Sequence, residues 1–277
     1  MRARKLVIKG TAVMENFGSA ERPEKKGVQY HIGLGPDDMP DSVLLPGDPK
    51  RVEKIVRTWD DFKLVAENRE FTSARGLYKD VEIGVCSTGI GSPSTAIAIE
   101  ELASIGCKTF IRVGSTGTIS DKIECGDFII NTASMRLEGT TKQYVMPEYP
   151  AVASIEVTQA LIEACKENEV NYHIGVGAST DSFYTGQGRK GFREYWQSFM
   201  DDIVKDLQNA RVLNFEMENS TLFVLSTLFG LRAGSICVVF ANRMTDKFMK
   251  VDEKLLARVA SDAIAILKKN KVSGHGE

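Results

Sequence analysis

The sequence has few of the features that mark membrane-bound, secreted or zinc-binding proteins. No apolar run in its 277 residues approaches the roughly 20 that span a bilayer, and Lys9 interrupts the apolar triplet near the N-terminus, which argues against a secretory signal. The five cysteines are widely spaced and form neither a CxxC pair nor a Cys/His cluster, which indicates reduced core thiols. We therefore expect a cytoplasmic protein.

An excess of charge of one sign is also lacking. The chain has 37 acidic and 35 basic residues, a formal net charge of −2, so it offers no bulk attraction to nucleic acid or to an anionic membrane. We expect no nucleic-acid or membrane partner, and a small molecule as ligand instead. What the sequence does have is 43% hydrophobic residues, enough at this length to fill the core of a single domain.

Short β-branched runs alternate with helical patterns from Val28 onward. We expect strands over 42–45, 81–87, 109–113, 127–133, 173–178 and 236–240. We expect helices over 50–58, 94–106, 155–167, 219–228 and 252–269. Continuous apolar strands are typical of a sheet covered on both faces, and their alternation with helices predicts one α/β domain with a mostly parallel sheet.

Three segments depart from this alternation. Residues 1–27, where Glu15, Glu21 and Glu24 accompany the basic residues, predict a flexible N-terminal extension, with a transit peptide as the alternative. Residues 271–277 predict a polar tail, which leaves 28–270 as the domain. The irregular stretch 180–208 is long for a compact domain, and loops of that length are often functional.

Three glycine turns, LLPGDPKR, STGIGSPS and RVGSTG, follow predicted strands, where parallel sheets collect ligands. None matches a Walker or dinucleotide motif, because no GK[ST] follows and the GxGxxG spacing fails. Arg51 and Arg112 lie beside these turns, and Arg69 lies in a strand-like segment, so a small phosphate-like anion is indicated. Solvated surface charge is the alternative for each, but it suits Arg112 poorly because that residue interrupts an apolar strand.

Two further groups of polar residues suit a nucleoside-like ligand. Glu216 and Glu218 stand two apart at the end of an apolar strand, so both can face one side and bind hydroxyl groups or act as acid and base. The first turn of a helix is the alternative. In the segment SFYTGQGR, Phe183 offers a stacking face, while Gln187 and Arg189 offer donors and an acceptor for the edge of a heterocycle. No Ser/His/Asp arrangement is evident among the three histidines.

Seven segments, in order along the chain, closely resemble the uridine phosphorylases of the nucleoside phosphorylase family. They are LLPGDPKRVEKI, NREFTSARG, VCSTGIGSPSTAIAIEELASIG, FIRVGSTGTI, DSFYTGQGR, NFEMENSTL and FANR. The resemblance extends from about His31 to about Lys269. It implies a single-domain three-layer α/β/α fold with a central mixed, partly barrel-like sheet. It also implies a pentosyltransferase of pyrimidine salvage, a homo-oligomer (hexamer or dimer) that converts uridine and phosphate to uracil and ribose 1-phosphate.

The same resemblance implies roles for individual residues. The phosphate site would comprise Gly47, Arg51, Arg69, Arg112, Gly114 and Ser115, with Arg69 supplied by a neighbouring subunit. The ribose site would comprise His31, Glu216, Met217 and Glu218. His31 would come from a neighbouring subunit and contact the 5′-hydroxyl of the bound ribose. The base site would comprise Phe183, Gln187, Arg189 and Arg243. Arg112, Glu218 and Arg243 would be the catalytic residues. No cofactor is implied beyond phosphate as co-substrate, although an optional structural potassium ion would involve Glu70, Ile90 and Ser94.

The chain departs from the family pattern at a few positions. Ser115 replaces the usual threonine, Gly188 replaces an acidic residue, and Phe240 and Ala241 replace aliphatic residues beside the base site. A purine nucleoside phosphorylase, a nucleoside hydrolase of the same fold and a catalytically silent nucleoside-binding protein are the alternatives. Purine-cleaving relatives usually carry an aspartate where this chain has Arg243, and a hydrolase would not need three arginines for phosphate.

Overall fold

The computed structural model describes residues 18–272. Residues 1–17 of the predicted N-terminal extension and 273–277 of the predicted polar tail lie outside this range. Among the helices of residues 18–272, none combines the length and the apolarity that crossing a membrane requires.

Strands and helices alternate through most of the described range. The strands are β1 Glu24–Lys25, β2 Val28–Gln29, β3 Ser42–Leu45, β4 Asp61–Asn68, β5 Phe71–Tyr78, β6 Val81–Cys86, β7 Thr109–Thr118, β8 Phe128–Leu137, β9 Ala151–Val152, β10 Tyr172–Thr180, β11 Asn214–Glu216, β12 Arg232–Asn242 and β13 Lys247–Phe248. The helices are α1 Pro49–Val56, α2 Ser92–Ser104, α3 Ile155–Glu167, α4 Ile203–Asn209, α5 Asn219–Leu228 and α6 Lys254–Val272.

One eleven-stranded sheet forms the centre of the molecule. Its order is β13-β12-β8-β10-β11-β7-β3-β6-β5-β4, with β9 paired to β8. Because β12 also pairs with β7, the strands β7, β12, β8, β10 and β11 close into a ring. The pairs β7–β12 and β8–β10 are parallel, whereas β7–β11 and β8–β12 are antiparallel. The mixed, partly barrel-like sheet implied by the resemblance is confirmed.

The expectation of a mostly parallel sheet is wrong. An apolar strand reports that both of its faces are buried, but it carries no information about the direction of its neighbour. Here the antiparallel pairs come from the β4–β5–β6 meander, from the strands that close the ring, and from the short strands β9 and β13. The β4–β5 hairpin was not predicted beyond the strand-like character of residues 68–75.

Two apolar clusters cover the two faces of the sheet. In β3, Leu44 belongs to the cluster with α1, α3 and α6, whereas Val43 and Leu45 belong to the cluster with α2 and α5. Successive side chains of a strand point to opposite faces, so these clusters lie on opposite sides of the sheet. This arrangement is the predicted three-layer α/β/α fold.

Local sequence accounts for several helix boundaries. Asp48 caps α1 by accepting a 2.9 Å hydrogen bond from the backbone N–H of Lys50, and Pro49 occupies the first helical position. The bounds of α3 and α5 match the predicted 155–167 and 219–228. The stretch 180–208, predicted to be irregular, contains three short 3₁₀ turns and most of α4. The β1–β2 pairing begins at Glu24, four residues before the predicted start of the domain.

Candidate active site

Arg112 is the buried centre of the site. It lies within β7 and is 6% exposed. Its Nη2 lies 2.5 Å from Glu218 Oε2, and its Nε lies 3.2 Å from Glu216 Oε2. The Nε contact lacks hydrogen-bond geometry, so this buried N–H has no hydrogen-bond acceptor among the described residues. The two carboxylates predicted to face one side therefore do so, with the arginine between them.

Backbone and hydroxyl donors hold both carboxylates in place. Glu216 accepts the N–H groups of Glu218 at 2.7 Å and Asn219 at 2.8 Å, and it also accepts the hydroxyl of Ser179. Glu218 accepts the N–H of Gly91 at 2.6 Å, which connects β11 to the turn before α2. Both acids are buried, and such hydrogen bonds offset part of the cost of desolvating them.

Burial and charge act against each other in this group. Burial disfavours the charge on Arg112, but Glu218, Cys237 and Glu216 raise its pKa above the ordinary arginine value. Burial raises the pKa of Glu216, and Arg112 opposes that increase. Arg112 is consequently a permanent cation, and the buried carboxylates beside it balance its charge.

Two glycines bring the backbone close to this centre. A Cβ atom on Gly114 would lie 2.7 Å from Cys237 Sγ and 2.9 Å from Arg112 Nη2. A Cβ atom on Gly47 would lie 3.1 Å from the carbonyl oxygen of Gly89. Gly114 therefore has to lack a side chain for Arg112 to keep its position. Ser115 follows in β7 and is half-buried.

Arg51 is held by an acid that lies 202 residues away in sequence. Its Nε donates to Glu253 Oε1 at 2.7 Å, its Nη2 also pairs with that carboxylate, and its Nη1 donates to the carbonyl oxygen of Val113 at 3.1 Å. Lys54 lies 2.5 Å from the second oxygen of Glu253. Because Val113 is the neighbour of Arg112 in β7, Arg51 lies next to the buried centre.

The base-site residues form a connected loop. Arg189 Nη1 donates to Gln187 Oε1 at 2.7 Å and to the carbonyl oxygen of Phe183 at 2.6 Å, and its guanidinium carbon lies 4.1 Å from the centre of the Phe183 ring. Arg243 donates to the carbonyl oxygens of Gln187 at 2.7 Å and Gly188 at 3.0 Å. The structure thus brings together all four predicted base-site residues.

This loop also adjoins the end of β7. A Cβ atom on Gly117, three residues after Gly114, would lie 3.8 Å from Arg189 Nη2. Burial, followed by the neighbouring charge of Arg243, lowers the pKa of Arg189 to about 10, so the group is still a cation at neutral pH. Burial also lowers the pKa of Arg243. Two partly desolvated cations, Arg189 and Arg243, therefore lie together on one side of the base site.

Two predicted site residues form a separate group. Arg69 is exposed, donates to the Tyr30 hydroxyl at 3.1 Å and lies over the Tyr30 ring. His31 contacts the carboxylate of Glu101 at 2.6 Å. Among the described residues, neither Arg69 nor His31 makes a hydrogen bond or ion pair with Arg112.

The residues predicted for a potassium ion lie at the turn before α2. The Ser94 hydroxyl lies 2.9 Å from Glu70 Oε1 and also within hydrogen-bond reach of the carbonyl oxygen of Thr88, while Ile90 is 78% exposed. Carboxylate, hydroxyl and carbonyl oxygens are thus close together on the surface. A group of three or more His, Cys, Asp or Glu side chains of the kind that holds a metal is not found within residues 18–272.

A cleft of about 860 Å³ lies beside the His31 group. Its walls come from residues 21–31, from α2 and from residues 140–144, and they include His31, Glu100 and Glu101. Arg51, Arg69, Arg112, Arg189 and Arg243 do not line it. The cleft therefore lies apart from the arginine cluster.

A protein-family model described as the phosphorylase superfamily matches residues 41–269. The chain belongs to this superfamily. Among phosphorylase relatives, it is 59% identical over 256 residues to a uridine phosphorylase of Thermococcus kodakarensis, with 92% of each chain covered. It is 40% identical to a uridine phosphorylase of Haemophilus influenzae, and the alignment covers 86% of this chain and 98% of that relative. It is 38% identical to a guanosine phosphorylase of Halorubrum lacusprofundi, and that alignment covers 77% of this chain and 83% of that relative.

In this phosphorylase-superfamily chain, sequence reasoning missed the acidic partners of the site. Glu253 pairs with Arg51, and Glu101 pairs with His31. Glu101 carried a recognisable signal, since it follows Ala98 by three positions and precedes Leu102 on the apolar side of α2, where a charge requires a partner. Glu253 lies in a polar segment before α6 and carried no such signal.

Proposed function

We propose that this chain is a uridine phosphorylase, a pentosyltransferase that catalyses the reversible phosphorolysis of uridine to uracil and ribose 1-phosphate. The observation that carries the proposal is the position of the Gln187–Arg189 loop at the end of the strand that bears Arg112. One strand thereby connects an anion site with a heterocycle site. The names of the bacterial and archaeal relatives at 40% and 59% identity agree with this assignment.

Phosphate is the co-substrate and binds at the arginines. Its oxygens accept from Arg51 and Arg112 and from the backbone around Gly47, Gly114 and Ser115. Arg112 is buried and held by Glu216 and Glu218, so its guanidinium has a fixed position from which to bind such an oxygen. Guanidinium groups match phosphate geometry and stay charged at every physiological pH.

The ribose lies between phosphate and base. Glu218, which is already oriented by Arg112 and Gly91, accepts hydrogen bonds from ribose hydroxyls, and Met217 packs beside the sugar. Glu216 does not contact the ribose but holds Arg112 and the backbone of Glu218 in place, because its own oxygens are occupied by Ser179 and by backbone N–H groups. Arg112 and Glu218 therefore act as one unit.

The reaction exchanges one bond to the anomeric carbon for another. A phosphate oxygen forms the new bond as the bond to N1 of uracil breaks, and the electron pair of the broken bond moves into the base. Positive charge develops on the ribose beside phosphate, and negative charge develops on uracil. Gln187, Arg189 and Arg243 stabilise the departing base with hydrogen bonds and positive charge. Uracil then takes up a proton, which balances the proton that hydrogen phosphate loses when it forms the new ester bond. Phe183 provides a face for stacking.

The working enzyme is a homo-oligomer, a dimer or a hexamer, in the cytoplasm. Arg69 and His31 belong to a group that is separate from the Arg112 centre. This separation supports the proposal that both residues contribute to the active site of a neighbouring subunit. Arg69 would contact that neighbour's phosphate, and His31 would contact its ribose 5′-hydroxyl.

A monovalent cation such as potassium fits the subunit contact as an optional structural ion. The donor set suits it, because the Glu70 carboxylate and the Ser94 hydroxyl are already 2.9 Å apart and a carbonyl at Ile90 is close in sequence. Hard cations of this kind prefer oxygen ligands. No step of the reaction depends on this ion.

A nucleoside panel tests the substrate assignment. Uridine, deoxyuridine, thymidine, inosine and guanosine are incubated with the enzyme and phosphate, and base release is followed by absorbance. We expect uridine to be used with a kcat/KM at least tenfold above that of guanosine, because the donors of Arg189 and Arg243 suit the carbonyls of uracil. Faster cleavage of guanosine would favour the purine alternative, as in the Halorubrum lacusprofundi relative.

A further inference from the structure

Glu101 and His31 form a partly buried polar contact that the proposed reaction does not use. Glu101 lies in α2 and is 8% exposed. Its Oε1 lies 2.6 Å from His31 Nδ1, while the backbone N–H groups of His31 and Ile32 donate to Oε2 at 3.1 and 2.8 Å. One carboxylate therefore fixes both the backbone and the ring of His31.

The contact determines which ring nitrogen is available. A carboxylate accepts hydrogen bonds, so the Nδ1 atom that faces Glu101 carries the proton. In the neutral imidazole the other nitrogen, Nε2, is then an acceptor with a free lone pair. Among the described residues, no side chain or backbone group makes a hydrogen bond to His31 Nε2. His31 also lines the 860 Å³ cleft, so another molecule can reach the residue.

We propose that Glu101 is a positioning residue for His31: it holds the Nδ1–H tautomer and turns Nε2 into the acceptor for the ribose 5′-hydroxyl of the substrate bound by the neighbouring subunit. This inference rests on the proposed function, because it presupposes a nucleoside in the active site. Carboxylates that orient a functional histidine in this way set its tautomer and ring angle. Glu101 is therefore a determinant of selectivity for nucleosides that carry a 5′-hydroxyl.

The neighbouring acid provides a matched control. Glu100 is adjacent to Glu101 in α2, is partly exposed and lines the same cleft, but within residues 18–272 it makes no hydrogen bond or ion pair with His31. A role that depends only on negative charge near the cleft would be shared by both acids. A role that depends on the contact with Nδ1 belongs to Glu101 alone.

The test compares uridine with 5′-deoxyuridine, which lacks the hydroxyl in question. kcat/KM for phosphorolysis is measured for the wild type, Glu101→Gln, His31→Ala, the double variant and the Glu100→Gln control. We expect Glu101→Gln and His31→Ala each to lower the preference for uridine over 5′-deoxyuridine about tenfold, the size of one well-made hydrogen bond. In the His31→Ala background, Glu101→Gln should change that preference less than twofold. Glu100→Gln should leave it unchanged.

A purely structural role of Glu101 gives a different pattern. Loss of the backbone contacts alone would lower kcat/KM for both nucleosides equally, with or without His31, and that result would overturn the proposal. If Glu101→Gln does not fold, Glu101→Asp retains the charge but withdraws the carboxylate from Nδ1, and an unchanged preference in that variant would overturn it as well. Absence of uridine phosphorolysis by the wild type would refute the proposed function and, with it, this inference.

Discussion

At the residue scale, the site depends on cations whose partners lie far away in sequence. Arg112 interrupts an apolar strand, and the structure pairs it with Glu216 and Glu218. The pairing of Arg51 with Glu253, 202 residues away, is not visible in any local pattern. A sequence motif reveals which groups can bind an anion, but long-range contacts decide which of their N–H groups remain free.

Arg189 provides the first test at this scale. Arg189→Ala removes the donors that adjoin Gln187 and the end of β7, so we expect the KM for uridine to rise at least tenfold while the KM for phosphate stays within twofold. Steady-state kinetics with each substrate varied in turn measures both. Arg193→Ala is the control, because Arg193 is exposed and lies over Phe192 in the same segment. Equal effects of the two variants, or unchanged uridine kinetics in Arg189→Ala, would contradict the base-site assignment.

Glu253 provides the second test. Glu253→Ala frees Arg51 from the contact that orients it and leaves two cations, Arg51 and Lys54, without their shared acid. We expect the KM for phosphate to rise several-fold while the KM for uridine changes little, since loss of one partner of a buried pair disturbs the other. Glu53→Ala removes an acid from an exposed pair with Arg57 and should leave both constants unchanged. An increase confined to uridine would show that Glu253 acts elsewhere.

At the scale of secondary-structure elements, sequence periodicity predicted most of the helices and strands. It did not predict whether neighbouring strands pair parallel or antiparallel. The bounds of α3 and α5 were predicted to the residue. A polar boundary precedes each helix, and α5 ends just before Gly230, a residue type that favours helix ends. The β4–β5 hairpin and the closure of the ring were missed, since they depend on pairings between segments distant in sequence. Only the family resemblance implied a mixed, partly barrel-like sheet, and it did not specify which strands pair antiparallel.

The contact between α4 and the base-site loop allows a test at this scale. Gly188 has a φ of +68°, and a Cβ atom there would lie 2.5 Å from Val204 Cγ2 in α4. Gly188→Ala adds this clash to a backbone cost of about 1–2 kcal/mol, so we expect a lower melting temperature and a raised KM for uridine. Gly230→Ala is matched to it, because Gly230 has a φ of +67° with no atom within 4 Å of the Cβ position. It should lower the melting temperature less and leave uridine kinetics intact. Equal effects of the two variants would show that the α4 contact is unimportant.

At the scale of the whole molecule, the separation of Arg69 and His31 from the Arg112 centre is the feature that favours an oligomer. If Arg69 serves a neighbouring subunit's site, an Arg69→Ala chain and an Arg189→Ala chain carry complementary defects. We expect each variant alone to lose most activity. Coexpressed chains should regain a substantial fraction, because some sites then combine an intact Arg189 with an intact Arg69 from the partner.

The controls for this experiment use variants within one site. Arg51→Ala with Arg189→Ala on a single chain, coexpressed with Arg69→Ala, should complement in the same way, because both defects lie on the same side of the subunit contact. Activity of the coexpressed chains that equals the sum of the separate variants would show that Arg69 acts within its own subunit. That result would remove the main argument for a shared site.

The central claim is that bound phosphate attacks the ribose of uridine, and the most direct measurement is the stoichiometry of products with and without phosphate. The enzyme is freed of phosphate, supplied with uridine, and assayed for uracil and ribose 1-phosphate. We predict negligible release of uracil without phosphate, and one ribose 1-phosphate for each uracil when phosphate is added. Uracil released equally fast without phosphate, with free ribose as the second product, would contradict the account and identify a hydrolase.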